Sequence, residues 1–345
     1  MVERKQYASL DVAKFIAAIL IIVLHTSPLS SYSSIISFGL RDIVTIIAVP
    51  FFFITSGFLF CGKLNTLKEK ERSEYFKQYI KRLMVMYLFW SAVYFVFVIR
   101  EWLIEGFEIS FVFQYVKEFF VKGSYATIWF LPALITSVAI IYFLHKKLSY
   151  KKIFIIGIPF YIIACMGSSY YGLVDDVPVI NTLFEVYFSF FETIKNGILF
   201  GWVFVALGGV FSEIEIPKKP VRNFILSGIF FVLVAIEAVV QEYLGWATNG
   251  VDTKLMLLPL SVFIFMFVLN LNIHTSKVCI WMRKLSLMMF LSQRIFLSLF
   301  HIFLSETIFV TNSIVYFIAI LISTLAFSIV FIKLSERFKA LKKFY

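Results

Sequence analysis

Charge is what this chain has least of: only 15% of its 345 residues are Asp, Glu, Lys or Arg, against 61% hydrophobic. With a mean hydropathy of +0.90, no soluble domain of this size could hide so much apolar surface, so lipid must solvate most of the chain. Cysteine is also scarce. Cys61, Cys165 and Cys279 lie far apart without paired spacing, which implies neither a disulfide framework nor a metal site. The sequence shows no internal repeat of the transporter type, no low-complexity tail and no appended soluble domain. Residues 1–345 are therefore expected to form a single transmembrane domain. The first apolar run is too long for the core of a secretory signal and lacks a clear small-residue cleavage site, so it reads as an uncleaved span.

Acidic residues are outnumbered 21 to 32 by Lys and Arg, a balance that invites a nucleic-acid reading. The distribution decides against it. Ten apolar stretches could cross about 30 Å of hydrocarbon: 12–30, 42–61, 83–104, 127–144, 152–170, 190–211, 222–241, 255–271, 285–304 and 312–333. Of the 32 basic residues, 24 fall in one alternate set of loops and termini. The other set holds Arg41, Arg100, Lys117, Lys122 and Lys254, while Lys14, Lys195 and Arg294 fall inside spans. By the positive-inside rule both termini are expected to be cytoplasmic. The basic charge is topological. The expected fold is an all-α bundle of about ten transmembrane helices, in which Pro50 loosens the second helix and Trp129 anchors at an interface.

The first span carries Lys14 and His25 in an otherwise apolar run. Eleven residues at about 100° each make three turns plus roughly 20°, so both project from one helix face, ~16 Å apart along the axis. A charge in the bilayer costs about 2.5–3.5 kcal/mol on the gentlest scale, and such residues face a bundle interior or a wet cavity. Given the expected topology, Lys14 is near the cytoplasmic face. His25, Glu192, Lys195, Asn196, Glu237 and His301 lie toward the outside, and Arg294 sits near mid-membrane on the same face as His301. Glu192 and Lys195 are spaced to pair with each other, and Glu237 could neutralise Arg294 or Lys195, so mutual compensation is an open alternative for each. His25 is followed by Thr26, Ser27 and Pro28, which end the helix beside it. There water can reach a neutral imidazole able to accept a proton from a hydroxyl.

The cytoplasmic loop 62–82 is the most charged. Lys77 and Lys81 have the i, i+4 spacing of one helix face, with Arg82 beside them. They suit either an anchor to anionic lipid or a clamp for the phosphates of a cytoplasmic cofactor.

Six segments in order resemble the acyltransferase 3 family of integral-membrane acyltransferases, especially the branch containing the membrane domain of vancomycin-resistance serine racemases. They are LDVAKFIAAILIIVLHTSPL at 10–29, VPFFFITSGFLF at 49–60, YIKRLMVMYLFW at 79–90, WFLPALI at 129–135, ETIKNGILFGWVFVALGG at 192–209 and LSLMMFLSQRIF at 285–296. The resemblance covers nearly the whole chain. It implies transfer of an acyl group from cytoplasmic acyl-CoA, with acetyl-CoA the expected donor, to a hydroxyl on an extracytoplasmic glycan or similar acceptor. It matches His25 to the family's first-helix histidine, gives Lys14 to the CoA or its phosphates and puts Lys81 and Arg82 in the family's basic stretch before the third helix. With Lys77 on the same helix face, these form the expected CoA site. Lys14 stands where the family more often has Arg. Lys195-Asn196-Gly197 replaces Arg-Asn-Gly, and Ser292-Gln293-Arg294 replaces Ile-His-Pro.

The leading expectation is a membrane O-acyltransferase of the bacterial plasma membrane. His25 is its base, and Glu192, Lys195, Asn196, Glu237, Arg294 and His301 form the acceptor side. No metal and no nucleic acid are expected. A permease for a small polar solute such as serine, with Glu192, Lys195, Glu237 and Arg294 binding a zwitterion, is the alternative from another class. A non-catalytic partner in envelope assembly is the third.

Overall fold

The computed structural model describes residues 7–345. Among the described residues the chain is helical, with turns and loops between helices and no strand. Seven helices are long and apolar enough to cross a membrane. They are α1 (Ala8–Thr26), α2 (Ser34–Asn65), α3 (Glu69–Glu105), α5 (Ala126–His145), α9 (Pro220–Tyr243), α11 (Lys277–Leu304) and α12 (Ser313–Arg337). Between them lie α4 (Ile109–Val121), α6 (Tyr150–Met166), α7 (Pro178–Phe191), α8 (Gly197–Glu213) and α10 (Leu257–Asn270). Each of the ten expected stretches overlaps a helix, but α6, α8 and α10 fall short of the length that marks a clear span.

Local chemistry fixes the ends. Ser27 adopts φ 44° and returns its N–H to the carbonyl of Val23, stopping α1 before Pro28. Ser276 and Asn312 cap α11 and α12 by accepting backbone N–H groups from the first turn. Pro178 and Pro220 open α7 and α9, where the missing amide is harmless. The loosening expected at Pro50 is seen upstream of it. Residues 39–44 wind as a π-helix and 45–47 as a 3₁₀ turn before regular helix starts at Ala48. Pro50 cannot donate to the carbonyl of Ile46, so the tighter and wider turns collect there.

The centre is the crossing of α2 with α8. A Cβ on Gly57 would stand 2.2 Å from the carbonyl oxygen of Val205, and one on Gly208 2.2 Å from that of Ile54. Only glycine lets the two backbones meet so closely, and in lipid that close packing is the main source of helix association. Around it, Phe53 packs on Phe130 and Phe51 and Phe58 pack on Phe265. The apolar window of α2 is 61% buried, whereas those of α9 and α12 are 17% and 22% buried, so α9 and α12 turn most of their surface toward lipid. α1 packs between α2, α11 and α12.

Both ends of the described chain lie at the same end of the bundle. Near the start of α1, Arg283 approaches Asp11 at 4.0 Å and Lys284 pairs with Glu336 near the end of α12. Arg82, early in α3, donates to the carbonyl of Tyr345 at 3.3 Å. This end also carries Lys77, Lys81, Lys342 and Lys343, and is called the basic end below.

Candidate active site

α1 starts at the basic end and delivers His25 to the far end of the bundle in its last turn. There a cavity of about 280 Å³ opens among α1, α3, α11 and α12. His25, Arg294 and His301 all line it, so the structure brings together the three residues that helical spacing had placed on two converging faces. α3 adds Arg100 and Glu101, α11 adds Ser298, and Tyr125 and Tyr316 supply hydroxyls. The Tyr125 hydroxyl lies 3.1 Å from that of Ser298. Its ring stacks on Tyr94 at 5.0 Å, and the Tyr94 hydroxyl donates to the carbonyl of Leu291 at 2.6 Å. That chain of contacts fixes one wall. On the opposite side, Tyr316 meets the His301 ring edge-on at 5.5 Å.

His25 has no hydrogen-bond partner for its ring among the described residues, so the imidazole is free to serve a ligand. The charges that act on it are those of Arg294, Asp252 and Lys195. Lys195 itself is ion-paired with Asp252 just behind the cavity rather than lining it. The Nε–H of Arg294 is buried and has no acceptor among the described residues. Gln293, one residue earlier, is buried and donates to the carbonyl of Phe290 at 3.4 Å, leaving its amide oxygen without a donor.

The other acceptor-side residues have different surroundings. The expected span 190–211 is interrupted, because Glu192 ends α7 in a left-handed conformation at φ 57° and regular structure resumes only at Gly197. Glu192 does not pair with Lys195. It binds Lys117 at 2.9 Å and Lys122 at 2.8 Å, tying α7 to α4. Partial burial would raise its carboxyl, but the hydrogen bonds from Lys122 and Lys117 hold it below the ordinary carboxylate range. Asn196 caps α8 by accepting from the amides of Ile198 and Leu199 at 2.9 and 3.0 Å, and donates to the Tyr187 hydroxyl. Glu237 neutralises neither Arg294 nor Lys195 by contact. It accepts from the amides of Leu255 and Met256 at 2.5 and 2.9 Å and from the Tyr170 hydroxyl at 2.6 Å, so it caps the start of α10 from the adjoining α9. It lines a second, separate cavity of about 230 Å³.

At the basic end, Lys14 pairs with Asp11 at 3.1 Å. Lys77, Lys81 and Arg82 are exposed on the first turns of α3, which begin well before the apolar part of that helix. The three cysteines are buried and unpaired. No group of three His, Cys, Asp or Glu that could hold a metal is found among the described residues.

Sequence reading missed Arg100, Glu101, Tyr125, Ser298 and Tyr316. Arg100 and Glu101 did carry a signal, as adjacent charges at the end of a long apolar run. The hydroxyl residues carried none, since Ser and Tyr are ordinary in membrane helices.

The fold and this cavity define a polytopic helical membrane protein with a polar site at the far end and a basic face at the other. The chain belongs to the acyltransferase 3 family: residues 7–333 match its acyltransferase domain. Among curated proteins it is 34% identical over 213 residues to an amino-acid racemase of Enterococcus faecalis, covering 62% of this chain and 29% of that one. It is 26% identical over 327 residues to a serine/alanine racemase of Enterococcus gallinarum, covering 94% of this chain and 46% of the relative. The chain thus spans less than half the length of these relatives. No solved structure matches it.

Proposed function

We propose that this chain is an integral-membrane O-acyltransferase that takes an acyl group, acetyl by expectation, from acyl-CoA and transfers it to a hydroxyl of an extracytoplasmic glycan or related acceptor. The observation that carries the reading is one cavity holding an imidazole without a protein hydrogen bond, a guanidinium and a second histidine, at the end of the bundle opposite a basic face. In this reading the basic end is cytoplasmic, both termini are inside, and the protein sits in a bacterial plasma membrane.

The chemistry follows from those groups. His25 takes the proton of the acceptor hydroxyl as its oxygen attacks the thioester carbonyl. The negative charge that builds on that carbonyl oxygen faces Arg294, whose buried Nε–H lacks an acceptor. The carbon–sulfur bond then breaks, and the leaving CoA thiolate takes the proton from His25. In this reading Lys14, Lys77, Lys81 and Arg82, all toward the basic end, receive the CoA phosphates, with Lys14 exchanging Asp11 for them. The ~16 Å from Lys14 to His25 along α1 suits an extended pantetheine arm.

A serine permease is the second reading, favoured by the racemase names of the relatives. It relied on Glu192, Lys195, Glu237 and Arg294 lining one path. The engagement of Glu192 with α4 and of Glu237 with α10 weighs toward acyl transfer instead.

The deciding experiment gives proteoliposomes labelled acetyl-CoA and an envelope-glycan extract. Wild type should transfer label, and His25→Ala should lose about 10²–10⁴-fold in rate with unchanged CoA affinity. Serine uptake without any transfer would replace this reading with the permease.

A further inference from the structure

Four charged or polar side chains that face one another across the outer cavity set a further requirement on the acceptor. Arg100 comes from the last turns of α3 and Arg294 from α11, and both line the cavity with His25 and His301. Glu101 is the only carboxylate among its lining residues.

Elsewhere at this end of the bundle, most cations are matched by a carboxylate in direct contact, while the buried Lys254 donates to the carbonyl of Val251 at 2.6 Å. Lys195 has Asp252, Lys117 and Lys122 have Glu192, and Arg41 grips Asp42 through two hydrogen bonds of 2.9 and 2.8 Å. Neither Arg100 nor Arg294 has a carboxylate of a described residue within 4.0 Å. Glu101 acts on both guanidinium groups at longer range, with Glu105 as a like-charged neighbour of its own. Arg294 moreover keeps its buried Nε–H without any acceptor among the described residues. Cations at membrane depth pair with one another's counter-ions, with backbone carbonyls or with what passes through the site. Here the protein supplies only part of the counter-charge, in a cavity large enough for a monosaccharide-sized group.

We propose that the cavity is built for an anionic acceptor, one that carries a phosphate or carboxylate which Arg100 and Arg294 clamp while its hydroxyl faces His25. This rests on the acyltransferase reading for the word acceptor, though not for the anion site itself. A guanidinium pair can grip such a group through several charge-assisted hydrogen bonds, whereas a neutral sugar would leave the buried Nε–H of Arg294 without a charged partner. Glu101, beside them, repels the same anion and so sets how readily the modified product leaves. The same chemistry could be presented by a soluble sugar phosphate or by an anionic lipid headgroup.

Binding of labelled glucose 1-phosphate and of methyl glucoside is measured on the protein in discs of neutral phosphatidylcholine and in discs containing phosphatidylglycerol. Glucose 1-phosphate should bind in neutral discs at least about tenfold more tightly than methyl glucoside. Arg100→Gln should remove that preference, and Glu101→Gln should strengthen phosphate binding several-fold. Arg100 and Glu101 are exposed on α3, and an unchanged thermal midpoint in detergent certifies the fold of each variant. Loss of sugar-phosphate binding in phosphatidylglycerol discs, with the lipid retained less well by Arg100→Gln, identifies a headgroup as the source of the anion and also supports the site. Equal binding of charged and neutral sugars overturns the proposal. So does indifference to Arg100→Gln, or failure of both sugar phosphate and anionic lipid to bind. Acetyl transfer run in parallel separates the two ideas. Phosphate binding without transfer leaves the anion site standing and removes the transferase, and transfer to neutral glycans unaffected by Arg100→Gln does the reverse.

Discussion

Glu237 illustrates how a charge inside an apolar helix can serve architecture. Its two carboxylate oxygens accept the hydroxyl of Tyr170 and the amides of Leu255 and Met256, amides that the start of α10 would otherwise leave unsatisfied in lipid. Glu237→Gln keeps one acceptor oxygen but loses the charge and the second. It is expected to lower stability by about 1–3 kcal/mol, read as a drop in thermal midpoint in detergent, with acyl transfer in the surviving fraction unchanged. A larger loss of activity than of fold would return Glu237 to the site. The contrast with His25, Arg294 and His301 explains what was legible. Arg294 and His301 were readable because helix periodicity ties residues seven apart to one face, and His25 because it is a lone titratable group closing an apolar helix; the cavity collects all three. Asn196 was not, because its capping role shows only once the span is seen to break before it. Glu192 and Glu237 were not, because their partners are lysines and amides far away in sequence that no spacing rule connects. The hydroxyls of Tyr125, Ser298 and Tyr316 were silent for the same reason.

At the scale of elements, α4 and α7 form a pair held by ions. Both are short, and both keep a stripe of exposed apolar residues at one spacing: Ile109, Phe113, Val116 and Phe120 on one, Val179, Leu183, Val186 and Phe190 on the other. Glu192 joins them through Lys117 and Lys122. The Glu192 carboxyl is held below its ordinary range, so its stabilising contribution is complete above that range and is lost as pH falls through the lowered value. Burial opposes the charge of Lys122, but its bonds to Glu192 and Glu118 raise it overall, so its share is present at neutral pH and is lost only as strongly alkaline pH climbs through the raised value. Hydrogen exchange over residues 109–121 and 178–196 should therefore stay slow across neutral pH, after correction for the intrinsic rate, and quicken on acidification. Glu192→Gln should exchange quickly at every pH, and a variant as protected as wild type would refute the clamp. The elements themselves were largely readable from apolar runs. The break at 192–196 was not, because Thr193, Ile194 and Gly197 continue the hydropathy of a span while Glu192 turns left-handed and Asn196 starts a new helix. Helix α3 runs far past its apolar part for the opposite reason: residues 69–82 have good helix formers and need no lipid to stay wound.

For the whole molecule, the asymmetry of Lys and Arg pointed to one common side for the termini, and the structure gathers both ends of the described chain at one basic end. What composition could not convey is that the helices differ so much in reach. α3 has 37 residues and α10 only 14. At 1.5 Å per residue, α10 extends about 21 Å and α8 about 26 Å, less than the roughly 30 Å of a typical hydrocarbon core. Both stand beside the tightest part of the bundle, the Gly57–Gly208 crossing, and neither can stretch. The bilayer is the softer body, and a short hydrophobic length is met by thinning the lipid around it at a fraction of a kcal/mol per Å. The protein should then act as a local pinch in the membrane. Its turnover, reconstituted into monounsaturated phosphatidylcholines from myristoleoyl to erucoyl chains, should be highest in the thinner bilayers and fall as the chains lengthen. α8 is buried along nearly its whole length, so α10 carries the mismatch, and flat activity across the series would mean that α10 is shielded from lipid as well. A pinched membrane shortens the distance between two aqueous compartments, so a donor confined to one of them and an acceptor confined to the other need less protein to meet.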